Sequence, residues 1–442
     1  ILNGQLPTGE RLPPQRKLAQ RLGVTAGTVS HAYALLGQRG MATARIGDGT
    51  YVRSPELAPE LAPELAANPA PALLDLAHNV AVSTEDDAAL ATALRQIANS
   101  PEALRLTLGY QPETGHPRHR QAAAQWLRRF GLCGDARRVM VTHGAQHGLA
   151  CVLRTLAHPG DVLFTEALSY PDLQALARLM RMQLIGIEMD ADGMVPAALE
   201  QAAQNFGGKL LFCSPSLHNP TNSTMPRQRR EDIASVARKH NLLLLEDCVH
   251  AAAQRAPLPA IASLLPDHAF VLTSFSKVAA PGLRVGYIEA APQWLSKLAA
   301  AMRADCWMAA PLLPEIATRW IESAEIDRLI ALQHQRLNER RAVALSALRG
   351  IGTLQGMDYR ADPESPLIWL PLPEPWRAGQ FATALRQAGV LIRTADHFAI
   401  GRSPAPHAVR ISLNAARSVQ EVQTGMVVLG QVLQGGVMGM ES

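Results

Sequence analysis

From Leu73 onward, short and almost wholly apolar runs alternate with longer stretches of mixed polarity. The runs fall at residues 139–141, 161–164, 184–187, 209–213, 242–245 and 269–272, and residues 227–240 read as an amphipathic helix between two of them. Runs this short and this apolar suit strands buried on both faces, so the alternation predicts an α/β chain with a mostly parallel sheet. Chemistry in such a sheet is expected at the carboxyl ends of its strands. From about residue 316 the pattern changes. A helical stretch at 316–349 leads into strands at 369–372 and 409–413, which predicts a smaller α+β domain.

Upstream, the tetrapeptide Pro-Glu-Leu-Ala repeats three times from Pro55 to Ala66 and runs into Asn68-Pro-Ala-Pro71. Proline at every fourth position cannot sustain a long helix and favours an extended form, so residues 54–72 are expected to be a linker. It separates residues 73–442 from a first unit, residues 1–53. There a helix is predicted to start near Pro14, with Leu18, Ala19 and Leu22 apolar, and to end at Gly23. Thr25 can cap a second helix with Val29, Tyr33 and Leu36 on its inner face and Thr28 and His31 on its outer face. Two short β-like runs then flank Gly47-Asp48-Gly49. This is helix-turn-helix geometry followed by a two-strand wing. The chain opens at Ile1 and not at Met, so the first helix of this unit is expected to be truncated.

A hydrophobic content of 48% against 18% charged residues marks the chain as globular, and 442 residues are too many for one core. No apolar run reaches membrane-spanning length, and the first dozen residues contain no signal-peptide block, so no membrane partner is expected. Cys133, Cys151, Cys213, Cys248 and Cys306 show no CxxC spacing. That predicts reduced thiols in a cytoplasm, with neither disulfides nor a metal site. The net charge of +4 is unevenly placed: seven basic residues stand against two acidic ones in residues 1–53, so the rest is close to neutral. A basic unit at one end predicts a polyanion partner there.

The candidate chemistry centres on Phe270-Val-Leu-Thr-Ser-Phe-Ser-Lys277, followed by Pro281-Gly282 and Arg284. A lysine at the mouth of a buried strand loses its proton cheaply, and a neutral amine attacks aldehydes to form a Schiff base. Ser274, Ser276 and Arg284 are what a phosphate beside that aldehyde would need. Together these requirements describe pyridoxal 5'-phosphate. Elsewhere, Thr142-His-Gly144-Ala145-Gln146 joins a run to a helix, and helix N-termini bind phosphate. Asp247 closes the leucine run, and a buried carboxylate needs a cation such as a protonated pyridine nitrogen.

Residues 1–53 resemble the winged helix-turn-helix of the GntR regulators. The resemblance rests on Leu12-Pro13-Pro14-Gln15-Arg16, Leu18-Ala19, Leu22-Gly23-Val24, Thr28-Val29, Ala32-Tyr33, Leu36 and Gly47-Asp48-Gly49-Thr50. It implies DNA contacts by Arg16, by Thr25, Thr28 and His31 at the recognition helix, and by Gly49 in the wing. The family usually carries an arginine just after the residue matching Thr25. Ala26-Gly27 stand there instead, so one contact is missing.

Residues 73–442 resemble the fold-type I aminotransferases, with the motifs in the family's order. The resemblance implies that Lys277 is the Schiff-base lysine and that Gly144, Ala145, Gln146, Ser274, Ser276 and Arg284 surround the phosphate. It implies that Tyr170 covers the ring, that Asn219 donates to the phenolic oxygen and that Asp247 meets the ring nitrogen. Tyr110 matches a tyrosine that reaches a neighbouring subunit's phosphate, which implies a homodimer. Arg410 matches the arginine that grips a substrate carboxylate, a role suited to a planar bidentate fork. Two departures stand out. Asn222 replaces a usual glycine, and asparagine tolerates the left-handed conformation. Val249 and His250 stand where the family has a tyrosine, so His250 is either a substitute or a plain histidine.

A GntR head, a linker and an aminotransferase-like domain together resemble the MocR subfamily of bacterial transcription regulators. That implies a pyridoxal-phosphate-dependent regulator that binds a DNA operator and senses an amino compound or a B6 vitamer. Lys277, Asp247, Asn219 and Arg410 would also suffice for transamination, so a working aminotransferase is the alternative.

Overall fold

A computed structural model describes residues 6, 10–38, 41–45, 49–52, 73–81, 88–401 and 405–438. The predicted linker, residues 54–72, lies outside the described residues, as do Gly47 and Asp48 of the wing.

The N-terminal unit folds as its pattern predicts. Helix Gln15–Leu22 ends at Gly23, whose φ of 66° is the left-handed conformation that glycine adopts without steric cost. Thr25 caps helix Ala26–Gln38 through its hydroxyl, which accepts from the Thr28 N–H at 3.2 Å. Strands Ala42–Arg45 and Gly49–Val52 pair antiparallel as the wing. Leu12, Ala19, Val29, Tyr33, Ala42 and Val52 form a small buried core.

The second unit is built on a seven-stranded sheet. Its order is Val139–Thr142, Gly286–Ala290, Ala269–Ser274, Leu243–Asp247, Leu210–Cys213, Val162–Glu166 and Gln183–Ile187. All neighbours run parallel except Gly286–Ala290, which is antiparallel to both strands beside it. Successive side chains of a strand point to opposite faces. Val271 accordingly enters one buried core while Phe270 and Leu272 enter another, and Leu211 and Phe212 divide the same way. Burial on both faces is why these strands are unbroken apolar runs and not alternating ones.

The smaller domain holds a three-stranded sheet in the order Leu367–Pro371, Ala408–Ser412 and Arg393–Thr394. Helices Ala378–Gln387 and Val419–Met438 cover it. The stretch predicted as one helix over 316–349 is two, Leu312–Glu322 and Glu325–Arg349, parted at Ala324 with φ 58°. On one straight helix, Ile321 and Ile326 would face about 140° apart. The left-handed turn brings both into the same core. The changeover between the two domain cores lies farther on, within the second helix, between Ile330 and Leu337.

Residues 73–81 also join the smaller domain. Strand Leu74–Asp75 pairs with Val390–Leu391, and the Leu76 carbonyl accepts from the Ser412 N–H at 2.8 Å.

Candidate functional site

Where the carboxyl ends of the central strands meet the smaller domain there is a cavity of about 310 Å3. Ala145, Gln146, Tyr170, Asn219, Asp247, His250, Ser274, Ser276, Lys277, Arg284 and Arg410 all line it, although they span more than 260 positions of sequence. Two residues of the predicted set do not. Gly144 sits behind the cavity wall as the N-cap of helix Ala145–Leu156. Tyr110 is 82% exposed and stacks near Trp307, with ring centroids 6.0 Å apart.

Lys277 closes a short 3-10 turn at the end of strand Ala269–Ser274. Its Nζ donates to the Asn79 carbonyl. Burial, and then the Arg410 charge, lower its pKa to about 8, against the opposing effect of Asp247. That gives roughly 300-fold more neutral amine at pH 7 than an ordinary lysine has. Capture of added pyridoxal 5'-phosphate by the apo protein, followed by stopped flow, should therefore quicken about tenfold per pH unit below 8 and level off above it. An increase that continued through pH 10 would mean an ordinary lysine.

Asp247, at the end of strand Leu243–Asp247, is raised to about 6 by burial, offset by the Val249 N–H and by Lys277. Glu246 faces away and accepts from the N–H groups of Ile261 and Ala262 at 3.0 and 2.7 Å. Adjacent carboxylates thus serve different ends: one holds a 3-10 turn, and the other faces the cavity.

The turn around Gly144 is tightly built. Gly144 has φ 83°, and a Cβ there would stand 2.9 Å from an Arg284 guanidinium nitrogen. A Cβ on Gly286 would come within 2.5 Å of the Gly144 carbonyl carbon. Two glycines therefore let strand, helix N-terminus and Arg284 converge. Arg284, with φ 49°, donates to the Ser276 hydroxyl at 3.4 Å and to the His143 carbonyl at 3.5 Å. Exposed N–H groups at a helix start, two serines and a guanidinium form an anion cradle. Within it, Gln146 Oε1 is buried and has no protein partner.

Tyr170 precedes helix Pro171–Leu179 and donates to Asp172 at 2.5 Å. Burial and then the Asp172 charge raise its pKa well above the usual value. Asn219 Oδ1 accepts from Arg410 at 3.0 Å, which turns its amide N–H donors the other way. Asn222 adopts φ 58° and donates to the Leu367 carbonyl at 2.9 Å, so it replaces glycine in the left-handed conformation.

Arg410 lies on strand Ala408–Ser412 and is 4% exposed. It donates to Asn219 and to the Ala77 carbonyl, and it lies over the Phe398 ring at 5.1 Å. Burial, and then Arg393, lower its pKa to about 9, and its Nε has no protein partner. His250 Nε2 lies 3.1 Å from the Asn79 amide nitrogen and accepts from it. Burial and then Lys277 depress its pKa to about 3, so it is neutral with its proton on Nδ1.

Sequence reasoning missed the segment Ala77-His78-Asn79 and the wall formed by Arg393, His397 and Phe398. The first acts largely through backbone carbonyls, which no side-chain pattern reveals. In the second, Arg393 stands across a strand pair from Arg410, a register that sequence spacing does not show.

In the N-terminal unit, Arg16, Thr25, Thr28 and His31 are all exposed on one helical pair. Gly49 is half-buried, and a Cβ there would stand 2.9 Å from Arg11 Nε.

Residues 71–429 match the family described as aminotransferase class I and II. The chain belongs to that family. In this aminotransferase-family chain, residues 1–52 additionally match the bacterial regulatory proteins of the gntR family. The pairing is the domain organisation of the MocR regulators.

Among curated relatives, the chain is 29% identical to the uncharacterized HTH-type transcriptional regulator YdeF of Bacillus subtilis (strain 168), over 98% of this chain and 92% of that protein. It is 25% identical to the vitamin B6 salvage pathway transcriptional repressor PtsJ of Salmonella typhimurium, over 98% and 96%. Among solved structures, an archaeal alanine:glyoxylate aminotransferase superposes with a TM-score of 0.74 at 23% identity, covering 82% of this chain and 91% of the other. That likeness supports the fold. Among the described residues, no helix is long and apolar enough to cross a membrane.

Proposed function

We propose that the protein is a pyridoxal-phosphate-dependent, DNA-binding transcription regulator of the bacterial cytoplasm, whose aminotransferase-like domain senses an amino compound or a B6 vitamer. One observation carries the reading: a lowered lysine, a raised carboxylate, an anion cradle and an under-bonded arginine line one cavity. These groups fit the cofactor. The backbone N–H groups of Ala145 and Gln146 at the helix start, with Ser274, Ser276 and Arg284, would hold its phosphate. Tyr170 would cover its ring, Asp247 would meet the ring nitrogen, and Asn219 and His250 would face its phenolic oxygen. The bound cofactor supplies the aldehyde carbon that the Lys277 amine attacks.

Arg410 would hold the effector's carboxylate. The same guanidinium donates to the Ala77 carbonyl, so the ligand and that backbone segment share one donor group. Ala77 and Asn79 lie in the segment that follows the linker, and both touch residues that ligands would engage. Displacing that segment offers a route to the DNA head, provided that the effector binds the two states differently. Tyr110 would complete the site of a second copy, making the protein a homodimer.

The relatives named as regulators support this reading over a working aminotransferase. Incubation with amino donors and a keto acid separates the two. Sustained turnover at enzyme-like rates would favour catalysis.

For the DNA head, Arg16→Ala should weaken operator binding uniformly across sequences. It should reduce the slope of log affinity against log salt by about 1, as loss of one phosphate contact does. A fluorescence-anisotropy titration at several salt concentrations reads this, and an unchanged slope would remove Arg16 from the interface.

A further inference from the structure

Arg410 does not stand alone in the cavity wall. Arg393, on the neighbouring strand, lies directly opposite it in the antiparallel register, and both line the cavity. Like charges opposed across adjacent strands repel one another. Arg393 is, after burial, the main cause of Arg410's weakened hold on its proton. The carboxylate that most offsets this is Asp75, and it is already engaged by His78 Nδ1 at 2.7 Å and by the Ala77 N–H at 2.8 Å. Two guanidiniums therefore share one wall, and the inner one has a buried Nε without a protein partner.

We propose that the effector is an amino acid with an acidic side chain, its α-carboxylate on Arg410 and its second anionic group facing Arg393. A carboxylate or a phosphate meets the same chemistry. Such a ligand relieves the repulsion between the two arginines, which a neutral amino acid does only in part. The proposal rests on the reading of Arg410 as the carboxylate site.

The test titrates the full-length, cofactor-loaded protein by calorimetry with three matched pairs. They are L-aspartate with L-asparagine, L-glutamate with L-glutamine, and O-phospho-L-serine with L-serine. At least one acidic member should bind roughly ten- to hundredfold more tightly than its neutral partner, as expected of a charge-assisted hydrogen bond. The pair showing the advantage tells carboxylate from phosphate. In Arg393→Gln the ratio should fall below about threefold, because that bond is gone. Ratios near one in all wild-type pairs overturn the proposal while leaving Arg410 as a carboxylate site. An undiminished ratio in Arg393→Gln overturns the assignment to Arg393. If none of the six ligands binds, the amino-acid reading of Arg410 fails, and this inference fails with it.

Discussion

Lys277→Ala is expected to abolish the visible absorbance that the wild-type protein gains on addition of pyridoxal 5'-phosphate. The reason is chemical and local. Alanine removes the amine that would bond the aldehyde, and it leaves the anion cradle around Gly144, Arg284 and Ser276 in place. Phosphate and ring contacts then hold the cofactor only non-covalently. Exhaustive dialysis should strip it from the variant and spare it in the wild type. The side chain is half-buried at the end of a fully buried strand, so truncation creates no large core void and the fold should survive. Far-UV circular dichroism checks that. A variant that keeps its absorbance after dialysis would place the covalent link on another residue.

Arg410→Leu is expected to weaken binding of α-amino acids on the order of a hundredfold, the usual scale for loss of a buried, charge-assisted contact. Arg410 is nearly inaccessible, and its guanidinium plane is fixed by Asn219, the Ala77 carbonyl and the Phe398 ring. A carboxylate that reaches it therefore meets a donor already oriented, with little ordering entropy left to lose. A primary alkylamine serves as the comparison ligand, because it lacks the carboxylate. If the variant loses affinity equally for both ligands, the effect is a structural one and the carboxylate assignment falls.

Much of this site was legible because each motif ends a strand. Ser274 to Lys277, Asp247, Tyr170 and Gly144 to Gln146 all follow apolar runs, and parallel strands deliver their carboxyl ends to one edge of the sheet. Asn222 was legible for another reason: the left-handed conformation admits few residues, and asparagine is one. The Ile316–Arg349 stretch was misleading because nothing in Glu322-Ser-Ala-Glu325 breaks a helix locally. Its break at Ala324 answers to the core that Ile321 and Ile326 share.

The pattern along the chain alone separates a basic helix-turn-helix head from an α/β body, because periodicity and local turn chemistry are written in neighbouring residues. It also determined which residue types were available for chemistry. Their protonation and their neighbours depend on the folded arrangement. The lowered pKa of Lys277, the raised one of Asp247 and the neutral state of His250 come from burial that no local pattern records. Likewise, the pairing of Arg393 with Arg410, and the carbonyls of Ala77 and Asn79 at the site, arise from strand register and chain return across hundreds of residues. Electrostatics depends on distance in space, and distance along the chain does not fix it.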